Sequence, residues 1–312
     1  MTEQAQTALQ VTVPTWRPYV VLATGVLAVS TAAILVRLAQ TASAPSLVLA
    51  AARLCVATSI LTPIVLRRHW HDVRAVSISD LKWALVSGAV LGLHFATWIT
   101  SLEYTAVVNS VTLVSTSPLW VALLAPVFLR EKLDRWAAIG LVLAMGGGIL
   151  VSLSGKAGDP PNRNDPLLGN GLALIGAIMA AIYFMIGRRL RARLSLTVYI
   201  WLVYSTAAII LVLVVIASGE QVIGLPAKAY LWMLMIGLVP QLIGHSSFNY
   251  ALGFFSAAYV SLVVLSEPIG SGLLAIIFLN EWPVLLQLAG STLILLGIGV
   301  ASKKETSTEL EP

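Results

Sequence analysis

Charge is scarce in this chain: Asp, Glu, Lys and Arg make up 11% of 312 residues, against about 25% in ordinary soluble domains. With 58% of residues hydrophobic and a mean hydropathy of +0.90, too little polar material remains to cover a water-soluble core. Cysteine is almost absent as well. Cys55 stands alone inside an apolar run, which excludes an intrachain disulfide and a thiolate metal site. Catalytic punctuation is missing too. There is no Gly-Lys-Ser/Thr phosphate loop to drive a nucleotide pump, no His-Glu-x-x-His pair, and no nucleophile serine with a convergent base. Neither an enzyme, a cofactor nor a bound metal is therefore expected. The formal net charge of +5 does not signal nucleic acid, because the Lys and Arg residues cluster in short loops between apolar runs.

Long apolar runs are what the sequence has instead. A hydrocarbon core of about 30 Å needs roughly 20 apolar residues at 1.5 Å per residue. That ruler gives ten spans: Tyr19–Ala39, Ser46–Leu66, Leu81–Ser101, Ala106–Phe128, Trp136–Leu153, Leu168–Gly187, Leu196–Ala217, Ala229–Leu252, Ser256–Leu279 and Val284–Ser302. Runs of this length are too long and too weakly alternating for barrel strands, so an all-α membrane protein is expected. Ala42-Ser43-Ala44 resembles a signal cleavage site, but the run before it is long enough to span and Pro45 would follow the cut. The segment is read as a retained first helix.

With a cytoplasmic N-terminus, fourteen Lys and Arg residues fall on the cytoplasmic side and four, Arg37, Lys156, Arg163 and Lys228, on the other. That bias places both termini in the cytoplasm of a bacterial-type inner membrane. The division is a cytoplasmic segment 1–18, a first unit 19–153, a polar non-cytoplasmic linker 154–167, a second unit 168–302, and a polar cytoplasmic tail 303–312, expected to be disordered. Trp16, Trp70, Trp83, Trp136, Trp232 and Trp282 lie near span ends, as interfacial anchors do.

A shift of 150 residues aligns 102–152 with 252–302 without a gap. It pairs Pro118 with Pro268, Glu131 with Glu281, Gly140 with Gly290 and Gly147 with Gly297. Apolar composition explains Leu and Ala matches, but not Pro, Glu and Gly in one register. Five spans per unit is an odd number, so the second unit enters the membrane from the opposite face. Inverted repeats are a recurring plan of secondary transporters, whose halves exchange conformations around a midplane site. A structural or receptor protein that arose by duplication is the competing explanation.

A helix with a central proline, an acidic residue at its end and a glycine-punctuated helix next resembles the EamA-type repeat of the drug/metabolite transporter superfamily. The resemblance runs from about Tyr19 to Ser302, with Arg53 matching an arginine common there. Within it the chain is most similar to bacterial amino-acid exporters, YddG-type aromatic amino acid exporters among them. The resemblance implies a drug/metabolite transporter fold in which four spans of each repeat surround a central cavity. The fifth and tenth spans stand aside, at a helix-packing or dimer surface. It implies a small-molecule substrate, with a drug or another metabolite as the alternative cargo. Gly140, Ala144 and Gly148 suit close helix contact within the chain or in a homodimer.

Polar groups inside a bilayer are expensive, so the few present form the candidate site: Arg53, His94, Asn109, Gln241, His245, Asn249 and Glu267. Glu267 falls near the midplane, where burial opposes its charge; this suits a proton relay, and pairing with Arg53 or a backbone group that merely packs helices is equally consistent. Pro118 and Pro268 each deprive a mid-span carbonyl of its donor, and Ser115, Thr116 and Ser117 stand beside the first. Arg53, Glu267, Pro118 and Pro268 are the candidates for coupling or gating. His94 and His245 are expected on opposite sides of the midplane, one residue out of the 150 register, where either can exchange a proton or hydrogen-bond substrate. Trp98 and Trp120 lie well within their spans. With Tyr183, Tyr204, Phe248 and Asn249 they complete a binding set suited to an uncharged or zwitterionic ligand. A phosphate-bearing substrate would demand several buried cations, and only Arg53 lies mid-span. The expectation is a carrier of neutral or aromatic amino acids.

Overall fold

The computed structural model describes residues 16–105, 107–128, 135–153, 165–279 and 285–308. Among them every regular element is helical. The expected N-terminal segment up to residue 15, the linker residues 154–164, Glu131, Glu281, Trp282 and the side chain of Asn109 lie outside the described residues. Six segments of the described residues are long and apolar enough to cross a membrane. These are α1–α2 (Arg17–Ser30 and Ala32–Thr41), α3 (Ser46–Arg68), α5 (Ile78–Tyr104), α9 (Pro166–Arg191), α10 (Leu196–Ser218), and the composite of α11 (Ala227–Ile236), a π-helical stretch Gly237–His245 and α12 (Ser246–Ala251). The short α4 (Trp70–Arg74) lies between α3 and α5. Shorter apolar stretches lie in α8 (Arg135–Leu153), α13 with α14 (Ala257–Val264 and Glu267–Leu279) and α15 (Leu285–Thr308), while α6 (Val107–Val114) and α7 (Ser117–Phe128) complete the first unit. Helix is the form that lets so apolar a backbone satisfy its own polar groups. Ser77, Asp165 and Ser256 cap their helices by accepting the N–H three residues on.

Several boundaries differ from the sequence reading. α5 and α9 exceed their expected spans at both ends, and α15 continues to Thr308, so residues 303–308 are helical rather than an irregular tail. The fourth and ninth spans are not continuous helices. α6 gives way to α7 at residues 115–116, and α13 to α14 at residues 265–266, the same place in each unit. Pro118 and Pro268 consequently lie in the first turn of a new helix, where a missing N–H costs nothing, and not in mid-helix.

The two units are related by exchanged contacts. A Cβ at Gly147 would lie 2.4 Å from the Gly290 carbonyl oxygen, and one at Gly297 would lie 2.5 Å from that of Gly140. Gly140 with Gly297 and Gly147 with Gly290 make α8 and α15 antiparallel partners in direct backbone contact. The glycine stripe is thus used within the chain. A second exchange relates α3, α5, α10 and the π-helical stretch. Gly88 abuts Thr206 and Val203, while Gly237 abuts Val56 and Arg53. Gly88 and Gly237 fall one residue short of the 150 register, whereas His94 and His245 fall one beyond it. The π-helical stretch that begins at Gly237 takes up the difference, since i→i+5 bonding accommodates added residues in a helix of the same length.

Loops gather at two ends. At one, Arg193 reaches Asp80 at 3.3 Å, while Arg188 and Arg191 donate to the carbonyls of Leu252 and Asn249, both at 3.0 Å. Those cations meet the last carbonyls of α12, where positive charge is favoured. At the other end Glu103 accepts from the N–H of Ser46 and Thr105 donates to Asn170.

Candidate substrate-binding chamber

Where the two units meet, they enclose a chamber with about 50 Å³ of room for the centres of water molecules. Its wall repeats itself. Val114, Ser115 and Ser117 at the α6–α7 break face it, and so do Val264, Leu265 and Glu267 at the α13–α14 break, the same three positions in each unit. Val29 with Ala180, Ala32 with Tyr183, and His94 with His245 contribute further pairs, all one residue beyond the 150 register. The histidines are therefore counterparts after all. Their ring centroids are 6.4 Å apart, both on the chamber wall.

Arg53 breaks this symmetry. It projects from α3 with 0% of its surface exposed, donates from Nε to Gln241 Oε1 at 2.6 Å, and stacks its guanidinium 3.7 Å from the centroid of Phe95. A hydrogen bond to a charged group is worth about 1.5–3 kcal/mol, and a desolvated cation–π contact about 2 kcal/mol. Both fix the guanidinium. They do not satisfy it, because Nη1 and Nη2 are buried without a hydrogen-bond partner. Glu267, half-buried on the same wall, forms no ion pair with Arg53. The packing ion pair considered from sequence is not formed.

Aromatic rings surround this cation. His94 stacks on Trp98 with rings 7° from parallel, Phe95 meets His245 edge-on at 5.0 Å, and His245 contacts Phe248 at 5.7 Å. His94 Nδ1 is held at 2.9 Å from the carbonyl oxygen of Gly176, which orients its ring; His245 Nδ1 and Trp98 Nε1 are buried with no partner. Tyr183 and Phe184 of α9 close the wall.

Seven of the expected residues therefore line the chamber: Arg53, His94, Trp98, Tyr183, His245, Phe248 and Glu267. Asn249 and Tyr204 stand behind it. Asn249 exchanges hydrogen bonds with Tyr183, at 2.8 and 2.6 Å, and also donates to Tyr204 and to the His245 carbonyl. Trp120 is outside the wall, its Nε1 donating to Thr116 across the helix break at 3.3 Å. Pro118 and Pro268 are also outside it; they deliver their neighbours Ser117 and Glu267 instead. Phe95 and Phe184 were missed. Phe95 shares a helix face with His94 and Trp98, and that spacing was the available signal.

The sequence profile of the EamA-like transporter family matches residues 16–153 and 167–303, one copy per unit. This chain belongs to the EamA-like transporter family. Membership, with six apolar spans among the described residues, makes it an integral membrane protein that handles a small-molecule substrate within lipid. An uncharacterized transporter of Archaeoglobus fulgidus is 24% identical over 263 residues, 82% of this chain and 88% of its own. The uncharacterized transporter YxxF of Bacillus subtilis is 23% identical over 261 residues, 82% and 81% of the two chains. A probable terminal-alkyne amino-acid exporter of Streptantibioticus cattleyicolor is 25% identical over 194 residues, 62% of this chain and 63% of its own. A solved crystal structure superposes with a TM-score of 0.74 at 18% identity, over 94% of this EamA-like chain and 99% of that one, and shares its fold.

Proposed function

We propose that this EamA-like protein is a secondary transporter that exports neutral amino acids, aromatic ones foremost, by alternating access through the chamber. The observation that carries the reading is the make-up of the wall: one cation, Arg53, and one carboxylate, Glu267, in a lining otherwise of rings, aliphatic groups and small hydroxyls. Such a wall suits a zwitterion with an apolar side chain, because both charges find a counterpart and the remainder finds apolar surface. A dianion would face a single guanidinium. The repeated wall supports alternating access, since equivalent elements of the two units close on the same chamber from opposite directions. A bacterial-type inner membrane with both termini cytoplasmic agrees with the distribution of Lys and Arg. Similarity to one amino-acid exporter points the same way.

Purified protein reconstituted into liposomes and offered a panel of labelled amino acids, drugs and other metabolites tests the proposal. Counterflow of neutral amino acids is expected, reduced at least about tenfold in Trp98→Ala, which removes both ring surface and a wall donor. Activity confined to non-amino-acid solutes would end the amino-acid assignment. Protons are the proposed coupling partner through Glu267: a pH gradient should drive transport in the wild type and lose its effect in Glu267→Gln.

A further inference from the structure

The buried unsatisfied atoms that belong to the chamber's lining residues share one character. Arg53 Nη1 and Nη2 and Trp98 Nε1 are N–H donors, and His245 Nδ1 serves as donor or acceptor according to its tautomer. All are buried, and none has a hydrogen-bond partner among the described residues. Buried donors left unpaired are costly, and a wall that concentrates them is complementary to a group offering several acceptor lone pairs and a negative charge. The guanidinium is also held in place. Gln241 takes its Nε at 2.6 Å and Phe95 covers one face at 3.7 Å, so the unpartnered edge of the fork is a fixed feature of α3. The carboxylate already on the wall, Glu267, forms no ion pair with it.

We infer that Arg53 is the anchor for the substrate's α-carboxylate, with Trp98 Nε1 and His245 Nδ1 completing the donor set and Gln241 acting as the positioning residue. The inference rests on the amino-acid reading above and narrows it: the carboxylate, rather than the side chain, is what the chamber recognises through hydrogen bonds. Substrates then share a head group and vary in the apolar part. A neutral amide in place of the carboxylate offers fewer lone pairs and no charge, and is disfavoured for that reason.

The test compares L-phenylalanine with L-phenylalaninamide, and L-leucine with L-leucinamide, as competitors of counterflow in proteoliposomes. In the wild type each amide is expected to compete at least about tenfold more weakly than its acid, the minimum from losing one charge-assisted hydrogen bond. Arg53→Gln should weaken binding of the acid and bring acid and amide within about twofold of each other, while Arg53→Lys, which keeps the charge, should retain part of the preference. Equal competition by acid and amide in an active wild type overturns the anchor and leaves the amino-acid reading intact. A wild type that moves other solutes but neither amino acid overturns both. Where Arg53→Gln is not recovered folded, Trp98→Phe decides, since it removes one donor and keeps a ring. A reduced acid-to-amide ratio supports the subsite, and an unchanged ratio removes it.

Discussion

Asn249 has 0% exposure and spends its amide on Tyr183, Tyr204 and the His245 carbonyl, so it braces the chamber from behind. Asn249→Leu keeps the volume, strands the Tyr183 hydroxyl and leaves Tyr204 with Ser246 alone. A stranded group costs about 1–3 kcal/mol, so the variant should unfold in detergent at a clearly lower temperature. Tyr183→Phe, which removes the donor to Asn249 Oδ1 but leaves Nδ2 its bonds to Tyr204 and the His245 carbonyl, should cost less. Equal midpoints for the two variants would mean that the network does not brace the wall. Much of this site could be read from sequence because polar residues in an apolar run stand out by contrast: Arg53, His94, His245 and Glu267 all line the chamber. Phe95 and Phe184 carry no such contrast, since in lipid-soluble runs an aromatic facing a chamber and one facing lipid look alike. Trp120 was placed in the binding set for its depth alone, and depth does not say which way a side chain points once the helix is broken.

At the scale of elements, α8 and α15 depend on the absence of side chains at their crossing. A leucine at Gly147 would have to displace the backbone at Gly290, because even a Cβ there would come within 2.4 Å of the carbonyl oxygen. Overpacking of this kind costs about 1–3 kcal/mol, occasionally more. Gly147→Leu and Gly297→Leu should therefore each lower the thermal midpoint. Gly146→Leu should leave it unchanged, because no atom lies within 4 Å of a Cβ built there. Similar losses at all three positions, read by fluorescence-detected size exclusion after heating, would show that the effect does not arise at the crossing. The glycine register was legible in the sequence, and it located this crossing without identifying the partner helix. The breaks at residues 115–116 and 265–266 were not legible, since a proline that begins a second helix and one that bends a single helix leave the same mark on an apolar run. The π-helical stretch was equally hidden: hydropathy reports which residues are apolar, not whether the backbone bonds to i−4 or i−5.

For the whole molecule, the decisive geometry is which loops share a side. The structure brings together the loop before α5, the loop after α9 and the end of α12 through Arg193–Asp80, Arg188–Leu252 and Arg191–Asn249. It joins the start of α3 to the end of α5, and the residue after α5 to α9, at the other end. These are the two sets that the Lys and Arg count assigns to opposite faces, the first of them cytoplasmic. Five crossings, the number the apolar runs predict before residue 154, would put residues 154–164 on the face opposite residue 307. Cysteine labelling reads this directly, because Cys55 is the only native thiol and can be replaced by serine. In a Cys55→Ser background, Asn162→Cys should react with a membrane-impermeant maleimide in intact cells, and Ser307→Cys should react only after permeabilisation. If both react under the same condition, the second unit crosses an even number of times, and by the repeat so does the first. The two units then enter the membrane in the same sense, and a chamber shared by antiparallel counterparts could not open to each side in turn.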